Sequence, residues 1–186
     1  MPEPREDSPR RRELLAATLA YAAENNLSDL SLRPLSAAIG SSPRVLLYLF
    51  GSKEGLVREV LAAGRAEQLA LIERAAREGD GPRATLELLW GWCADPGHRT
   101  MLRLFYEGYV RSAGASGEGP WRGFAAGSVT EWMPVLGPVL EGTGVSATLA
   151  LGTLRGLLLD LLADDNSLSR VNQAWSEFLD AVLPEA

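Results

Sequence analysis

Cysteine, histidine and lysine each occur once in the 186 residues, as Cys93, His98 and Lys53. A lone cysteine excludes an internal disulfide framework and any multi-cysteine zinc site, and a lone histidine removes most metal and Ser-His chemistry. These absences count against a hydrolase or metalloenzyme, and no cofactor motif stands in their place. Strand patterning is missing as well, since no run alternates apolar and polar residues for long enough. The most apolar stretch, Val145 to Ala163, is interrupted by Arg155 and Asp160 and falls short of the roughly 20 apolar residues that cross a bilayer. It reads as a buried helix, and no membrane partner is expected. The opening MPEPREDSPR is polar and leads into no apolar signal region, so the chain is expected to stay in the cytoplasm. Basic charge is in deficit, with 18 Lys+Arg against 24 Asp+Glu and a net charge of −6. Taken whole, that balance argues against nucleic acid, because a DNA-binding domain usually leaves a basic footprint.

What is present is helical periodicity from end to end. Leu15, Leu19 and Ala22 share one face of a first helix over 9–26, with Asn25-Asn26 as its stop. Ser31 caps a second helix to about Ala38, closed by Gly40. Ser42 caps a third to about Leu49, with Pro43 at the first position, where its missing N–H costs nothing. After Gly51, Ser52 caps a long helix from Lys53 towards Arg77, whose inward face offers Leu56, Val60, Ala63, Leu69 and Ile72. Further helices are predicted over 83–94, 96–112, 119–139, 145–164 and 168–183, the first of them after the turn Glu78 to Pro82. The 119–139 segment carries Pro134 and Pro138, which should kink or end it. The result is an all-α chain of about nine helices.

Residues 31–48 have the spacing of a helix-turn-helix: a short capped helix, a tight turn at Gly40, and a second short helix opened by Ser-Pro. The longer string SLRPLSAAIGSSPRVLLYLFGSKEGLV, from Ser31 to Val57, resembles the DNA-binding domain of TetR-type transcriptional regulators without a gap. Leu32, Leu35, Gly40, Ser42, Leu46, Tyr48, Phe50 and the Gly51-Ser52-Lys53-Glu54 close carry the likeness, with Arg12, Leu15, Ala17 and Leu19 before them; it covers about residues 10–60. Ser41 and Leu47 depart from the usual small apolar and aromatic residues at those positions. The resemblance implies a helix-turn-helix domain over 1–56, joined by the long helix to a ligand-binding and dimerisation domain over 57–186. It also implies a homodimer on double-stranded DNA with a near-palindromic operator.

Physical chemistry assigns roles within that frame. A recognition helix places its N-terminal residues at base edges in the major groove. Ser42, Pro43 and Arg44 hold that end, and Arg44 is the side chain there able to pair bidentately with guanine. Tyr48 either offers its hydroxyl to a phosphate or packs in the head, and Lys53, at a helix N-terminus, either holds a phosphate or is an ordinary surface lysine; the resemblance implies the phosphate contact for both, and Ser31 is a further phosphate candidate or a plain cap. The run Arg10-Arg11-Arg12 either reaches a minor groove as a basic arm or is a solvated tail.

The remainder holds no catalytic motif. Eight of its aromatic residues, Trp90, Trp92, Phe105, Tyr106, Tyr109, Trp121, Phe124 and Trp132, with Met101 and Cys93 nearby and Arg103, Glu107 and His98 interspersed, form a cluster that is either helical core or the lining of a concave site for a small apolar or aromatic effector; Trp90, Met101, Phe105, Tyr109, Trp121, Phe124 and Trp132 are the candidates for that lining. Near the C-terminus, Val171, Ala174, Trp175, Phe178, Leu179, Val182 and Leu183 form a broad apolar stripe. With Leu151 and Leu158 of the preceding helix, Trp175, Phe178, Leu179 and Val182 are candidates for the dimer interface that the resemblance implies. Two functional readings follow: a dimeric DNA-binding regulator, most often a repressor released by its effector, or a helical small-molecule-binding or enzymatic dimer without DNA binding. The charge favours the first once it is divided. Residues 1–56 sum to zero, so the whole −6 belongs to 57–186.

Overall fold

A computed structural model describes residues 8–25, 31–79, 81–113, 119–164 and 166–183. Among these, ten α-helices and one short 3-10 turn account for all regular structure: α1 Pro9–Glu24, α2 Leu32–Ala38, α3 Pro43–Phe50, α4 Lys53–Glu78, α5 Gly81–Ala94, the turn Pro96–His98, α6 Arg99–Ala113, α7 Phe124–Thr130, α8 Met133–Val139, α9 Ala147–Ala163 and α10 Leu168–Val182. The chain is all-α, as its periodicity requires. No described helix is long and apolar enough to cross a membrane.

Local chemistry sets the N-terminal boundaries. The Ser8, Ser42 and Ser52 hydroxyls accept from the amides of Arg11, Val45 and Gly55, satisfying donors that have no partner within their helices. Gly40 sits at φ +62° in the turn between α2 and α3, a conformation in which a Cβ would meet its own backbone. The end of α1 differs from expectation. Asn25 is extended (φ −129°, ψ 145°), and its amide side chain donates to the Tyr21 carbonyl; Asn26 lies outside the described residues. A side chain has replaced the left-handed stop.

Between 119 and 139 one predicted helix becomes two, with a break at Glu131-Trp132. Pro134 has no N–H for the carbonyl four residues earlier and its ring crowds that carbonyl, so the helix must restart. In the first turn of α8 the same proline is harmless. The described residues therefore form ten α-helices where the periodicity predicts about nine.

Two apolar clusters hold the helices together. The larger packs α4, α5, α8, α9 and α10 around Ile72, Leu89, Leu136, Leu158, Val171 and Leu179. The other joins Leu14, Leu35, Leu46, Phe50 and Leu56 of α1–α4 to Leu61, Leu104, Trp121 and Phe124. The three-helix head thus shares its core with α6 and the segment leading into α7. Each Leu so buried stabilises the fold by about 1.5–3 kcal/mol.

The C-terminal stripe is turned inward. Trp175 and Leu179 of α10 and Leu151 and Leu158 of α9 are all buried within the chain, while Phe178 and Val182 are half-buried against the same core. Trp175 stacks on Trp90 with ring centroids 5.2 Å apart. Four of these six candidates for a partner surface thus lie in the interior and two are half-covered, because an amphipathic pattern shows which face is apolar, not what covers it.

Candidate nucleic-acid interface and ligand cavity

The short helix α3 has two edges. Leu46 and Phe50, one turn apart, anchor it in the core of the head, while Arg44, Val45, Leu47 and Tyr48 stand exposed. Ser42 caps its start and Pro43 occupies the first position, with neither side chain buried. Ser31 stands at the N-cap of α2 but makes no capping hydrogen bond. Lys53 is half-exposed in the first turn of α4, beside the Ser52 cap. Sequence reasoning missed the exposed apolar pair Val45 and Leu47, although with Leu46 and Phe50 inward, helical spacing alone turns both outward.

The arginine run is not an arm ahead of the first helix but part of α1. Arg10 donates to the Gly40 carbonyl at 3.1 Å and pairs with Glu13 at 2.7 Å. Arg11 pairs with Glu59 of α4 at 2.8 Å and lies over the Phe50 ring, 5.1 Å from its centroid. Both tie the head together, and the cost of freeing them weighs against a minor-groove role.

A cavity lies between α4, α5, α6 and α9, walled by Leu61, Arg65, Gln68, Trp92, Cys93, His98, Met101, Leu102, Phe105, Tyr106, Trp132, Leu151, Leu154, Arg155 and Leu158. About 70 Å³ of it is open to the centre of a water-sized sphere. One water needs roughly 10–15 Å³ by that measure, so the space suits a small molecule. Met101, Phe105 and Trp132 of the predicted effector site line it. The other four do not: Trp90 is stacked on Trp175 with its Nε1 donating to Asn172, Trp121 and Phe124 belong to the core shared with the head, and Tyr109 lies against Arg155 behind the wall.

Sequence reasoning missed the two arginines of this site, Arg65 and Arg155, whereas His98, Cys93 and Tyr106 fall within the aromatic region it singles out. Arg155 is mostly buried; its Nη2 donates to the Ser128 carbonyl at 2.9 Å, and its guanidinium faces the rings of Phe105 and Tyr109 at 5.4 and 5.5 Å. Burial lowers its pKa from the ordinary arginine value, although Tyr109 and Tyr106 act the other way and Arg65 adds to the lowering. Arg65 pairs through Nε with Glu131 at 2.7 Å and lies over Phe124. The Tyr106 hydroxyl donates to the Arg155 carbonyl, and burial raises its pKa. His98 stacks on Trp92 with centroids 3.8 Å apart, and its Nδ1 lies 2.7 Å from the Trp92 carbonyl, so that nitrogen carries the proton. Arg155 did leave a signal, as the one cation in the most apolar helix.

Burial pushes the Cys93 thiol up to about 12 from 9.0. At pH 8 its thiolate fraction falls about a thousandfold, and only the thiolate reacts. Alkylation of the native protein by iodoacetamide is therefore expected to be slower than that of the urea-unfolded chain by at least that factor. Equal rates would place Cys93 at an accessible surface.

Among the described residues no group of three His, Cys, Asp or Glu side chains comes together to hold a metal. On α9 the outward face is unfilled: Leu149 and Leu159 are 50% and 54% exposed, and a Cβ added at Gly152 or Gly156 would meet nothing within 4 Å.

No family model and no curated protein matches the chain. Among solved structures it is similar to a protein from Rhodococcus sp. provisionally assigned as a TetR-family transcriptional regulator, at a TM-score of 0.69 and 18% identity, over 94% of this chain and 98% of that one. At that identity the likeness speaks for the fold, and the chain has the TetR-type fold from its head through its C-terminal helices.

Proposed function

We propose that the protein is a dimeric DNA-binding transcriptional regulator, a repressor whose hold on its operator weakens when a small molecule occupies the cavity. The observation that carries this reading is α3, a capped eight-residue helix with Leu46 and Phe50 inside and Arg44, Val45, Leu47 and Tyr48 outside. Such a helix fits the major groove end-on, with Arg44 at guanine and Val45 or Leu47 against a thymine methyl. Tyr48, Lys53, Ser42 and Ser31 contribute phosphate contacts that fix position without reading sequence. The likeness to the Rhodococcus fold supports the reading, and a DNA-binding role puts the chain in the compartment that holds DNA. We read the cavity as a binding site: burial holds the Cys93 thiol protonated with Gln68 donating to its sulfur, and His98 gives its Nδ1 proton to the Trp92 carbonyl.

Coupling between cavity and head runs through shared walls. Leu61, Met101 and Phe105 line the cavity and also pack in or against the core of the head. Arg58 of α4 donates to the Pro120 carbonyl ahead of α7, and Arg11 joins α1 to α4, so a shift of α4 against the segment leading into α7 is carried to the head. A differential affinity of about 1–3 kcal/mol between the two arrangements suffices for regulation. Two copies hold their recognition helices about one DNA turn, roughly 34–36 Å, or a multiple apart, and such a motion spoils that spacing.

Selection of a bound duplex from a random library, followed by anisotropy titrations, tests the reading. Arg44→Ala is expected to lower operator affinity more than about tenfold and to flatten preference at one base pair per half-site. Lys53→Ala should weaken all duplexes alike and reduce the salt slope by about one for each phosphate that the ammonium no longer neutralises. Failure to enrich any duplex sinks the proposal.

A further inference from the structure

The cavity is apolar over most of its surface, yet two guanidinium groups and no carboxylate line it. Arg65 enters from α4 and Arg155 from α9. The Arg65 Nη1 is sealed from solvent and has no hydrogen-bond partner, and its Nε is taken by Glu131 from outside the lining. Arg155 bonds to the carbonyl and hydroxyl oxygens of Ser128 and to the Tyr109 hydroxyl, and no carboxylate pairs with it. The other titratable groups of the wall are His98, Tyr106 and Cys93, and none is anionic near neutral pH: His98 and Tyr106 donate to carbonyls, and burial holds the thiol protonated. Buried charges are ordinarily paired, and an enclosed N–H without an acceptor is a standing cost. An anion seated against Arg155, with Arg65 turning its Nη1 into the cavity, relieves both.

We propose that the cavity binds a small carboxylic acid as its anion, with the carboxylate between Arg65 and Arg155 and the apolar body against Trp92, Phe105, Trp132 and Leu158. Guanidinium suits this task because its planar fork of donors matches a carboxylate. The aromatic walls then select a flat or short aliphatic body. This inference names the effector class for the regulator proposed above and rests on that reading only for the consequence of binding, not for binding itself.

The test compares benzoate, phenylacetate, hexanoate and octanoate with their uncharged amides, using quenching of tryptophan fluorescence, to which Trp92 and Trp132 report, on the unaltered protein without DNA. At least one acid is expected to bind ten times more tightly than its amide or better. Arg155→Met and Arg65→Met should bring that ratio close to one while amide binding persists, and Arg155→Lys should keep part of the preference. Equal or tighter binding of the amides, or no binding of any of the four acids at millimolar concentration, overturns the proposal; because this comparison uses the unaltered protein, misfolding of a variant leaves it intact. The same acids are then added to the DNA complex. Acid binding without release of DNA leaves the ligand class standing and counts against the regulatory reading. Release by neutral apolar compounds alone does the reverse.

Discussion

Exchanging Leu149 and Leu159 for glutamate is expected to yield a folded monomer whose operator affinity lies about a hundredfold or more below that of the parent, since two linked half-sites gain that much over one. The large apolar side chains exposed among the described residues are Val45, Leu47 and Tyr48 on α3, Leu88 on α5, Val110 on α6, and Leu149 and Leu159 on α9. On α9 they alternate with Gly152, Gly156 and Ala163 at i, i+3, i+7, i+10 and i+14, a stripe under a quarter-turn wide, open along its length. A second copy packed on it by two-fold symmetry would bring the same residues together from both sides, and the glycines would let the backbones approach. Burying both leucines in each copy would contribute about 1.5–3 kcal/mol per side chain; glutamates there would oppose like charge across the axis. A finer control is Gly156→Ala. Nothing in the chain itself lies near the added methyl, and alanine favours a helix over glycine by about 1 kcal/mol, so the monomer should be as stable or more so while the dimer weakens. Sedimentation equilibrium and thermal melting separate the two effects. A double glutamate variant that remains dimeric puts the interface elsewhere.

This surface shows where the sequence stops being legible. Caps are local chemistry, so Ser42-Pro43, Ser52-Lys53 and Gly40 stand where their spacing predicts them. Pro134 announces a break, but the position of that break at Glu131-Trp132 depends on how α7 and α8 pack. The stripe on α10 packs against the chain's own core, and on α9 the spacing of Gly152 and Gly156, which permits close helix approach, is by itself a weak signal in a helix apolar on nearly all sides. The aromatic cluster over 90–132 dissolves in the same way. Sequence proximity puts Trp90, Phe105, Trp121 and Trp132 together, yet the helices send Trp90 to α10, Trp121 to the head, and Phe105 and Trp132, with Trp92 and Tyr106, to the cavity. Arg65 and Arg155, which both line that cavity, are far apart in the chain, and no local pattern could join them. Charge is legible only after division, because an average over 186 residues hides a neutral head inside an acidic chain.

The contact between Gly108 and Trp121 is where stability and signalling meet, and Trp121→Ala is expected to destabilise the fold by about 3–5 kcal/mol, as large aromatic deletions from a core do. Trp121 is 8% exposed and packs edge-on against Phe124, with centroids 5.3 Å apart, in the cluster that also holds Leu46 and Phe50. Its indole lies so close to α6 that a Cβ on Gly108 would come within 2.3 Å of the ring. Gly108→Val must therefore push out a rigid ring rather than bend a flexible chain, at a cost of about 1–3 kcal/mol or more. Trp121→Phe separates shape from polarity. The indole Nε1 is buried without a hydrogen-bond partner, so phenylalanine removes an unsatisfied donor while keeping most of the packing, and the loss should stay below about 1.5 kcal/mol. Against a total stability of about 5–15 kcal/mol the alanine change is a large fraction, and the melting temperature should fall by on the order of ten degrees at fixed protomer concentration. Urea titrations of the three variants should rank them alanine, valine, phenylalanine from least to most stable. An alanine variant within about 1 kcal/mol of the parent would mean that the ring is not packed as described. Because the Trp121 cluster carries Leu61 of the cavity wall at one end and Leu46 of α3 at the other, phenylalanine should also preserve effector-driven DNA release, and valine at Gly108, which displaces α6, should blunt it even where the protein remains folded.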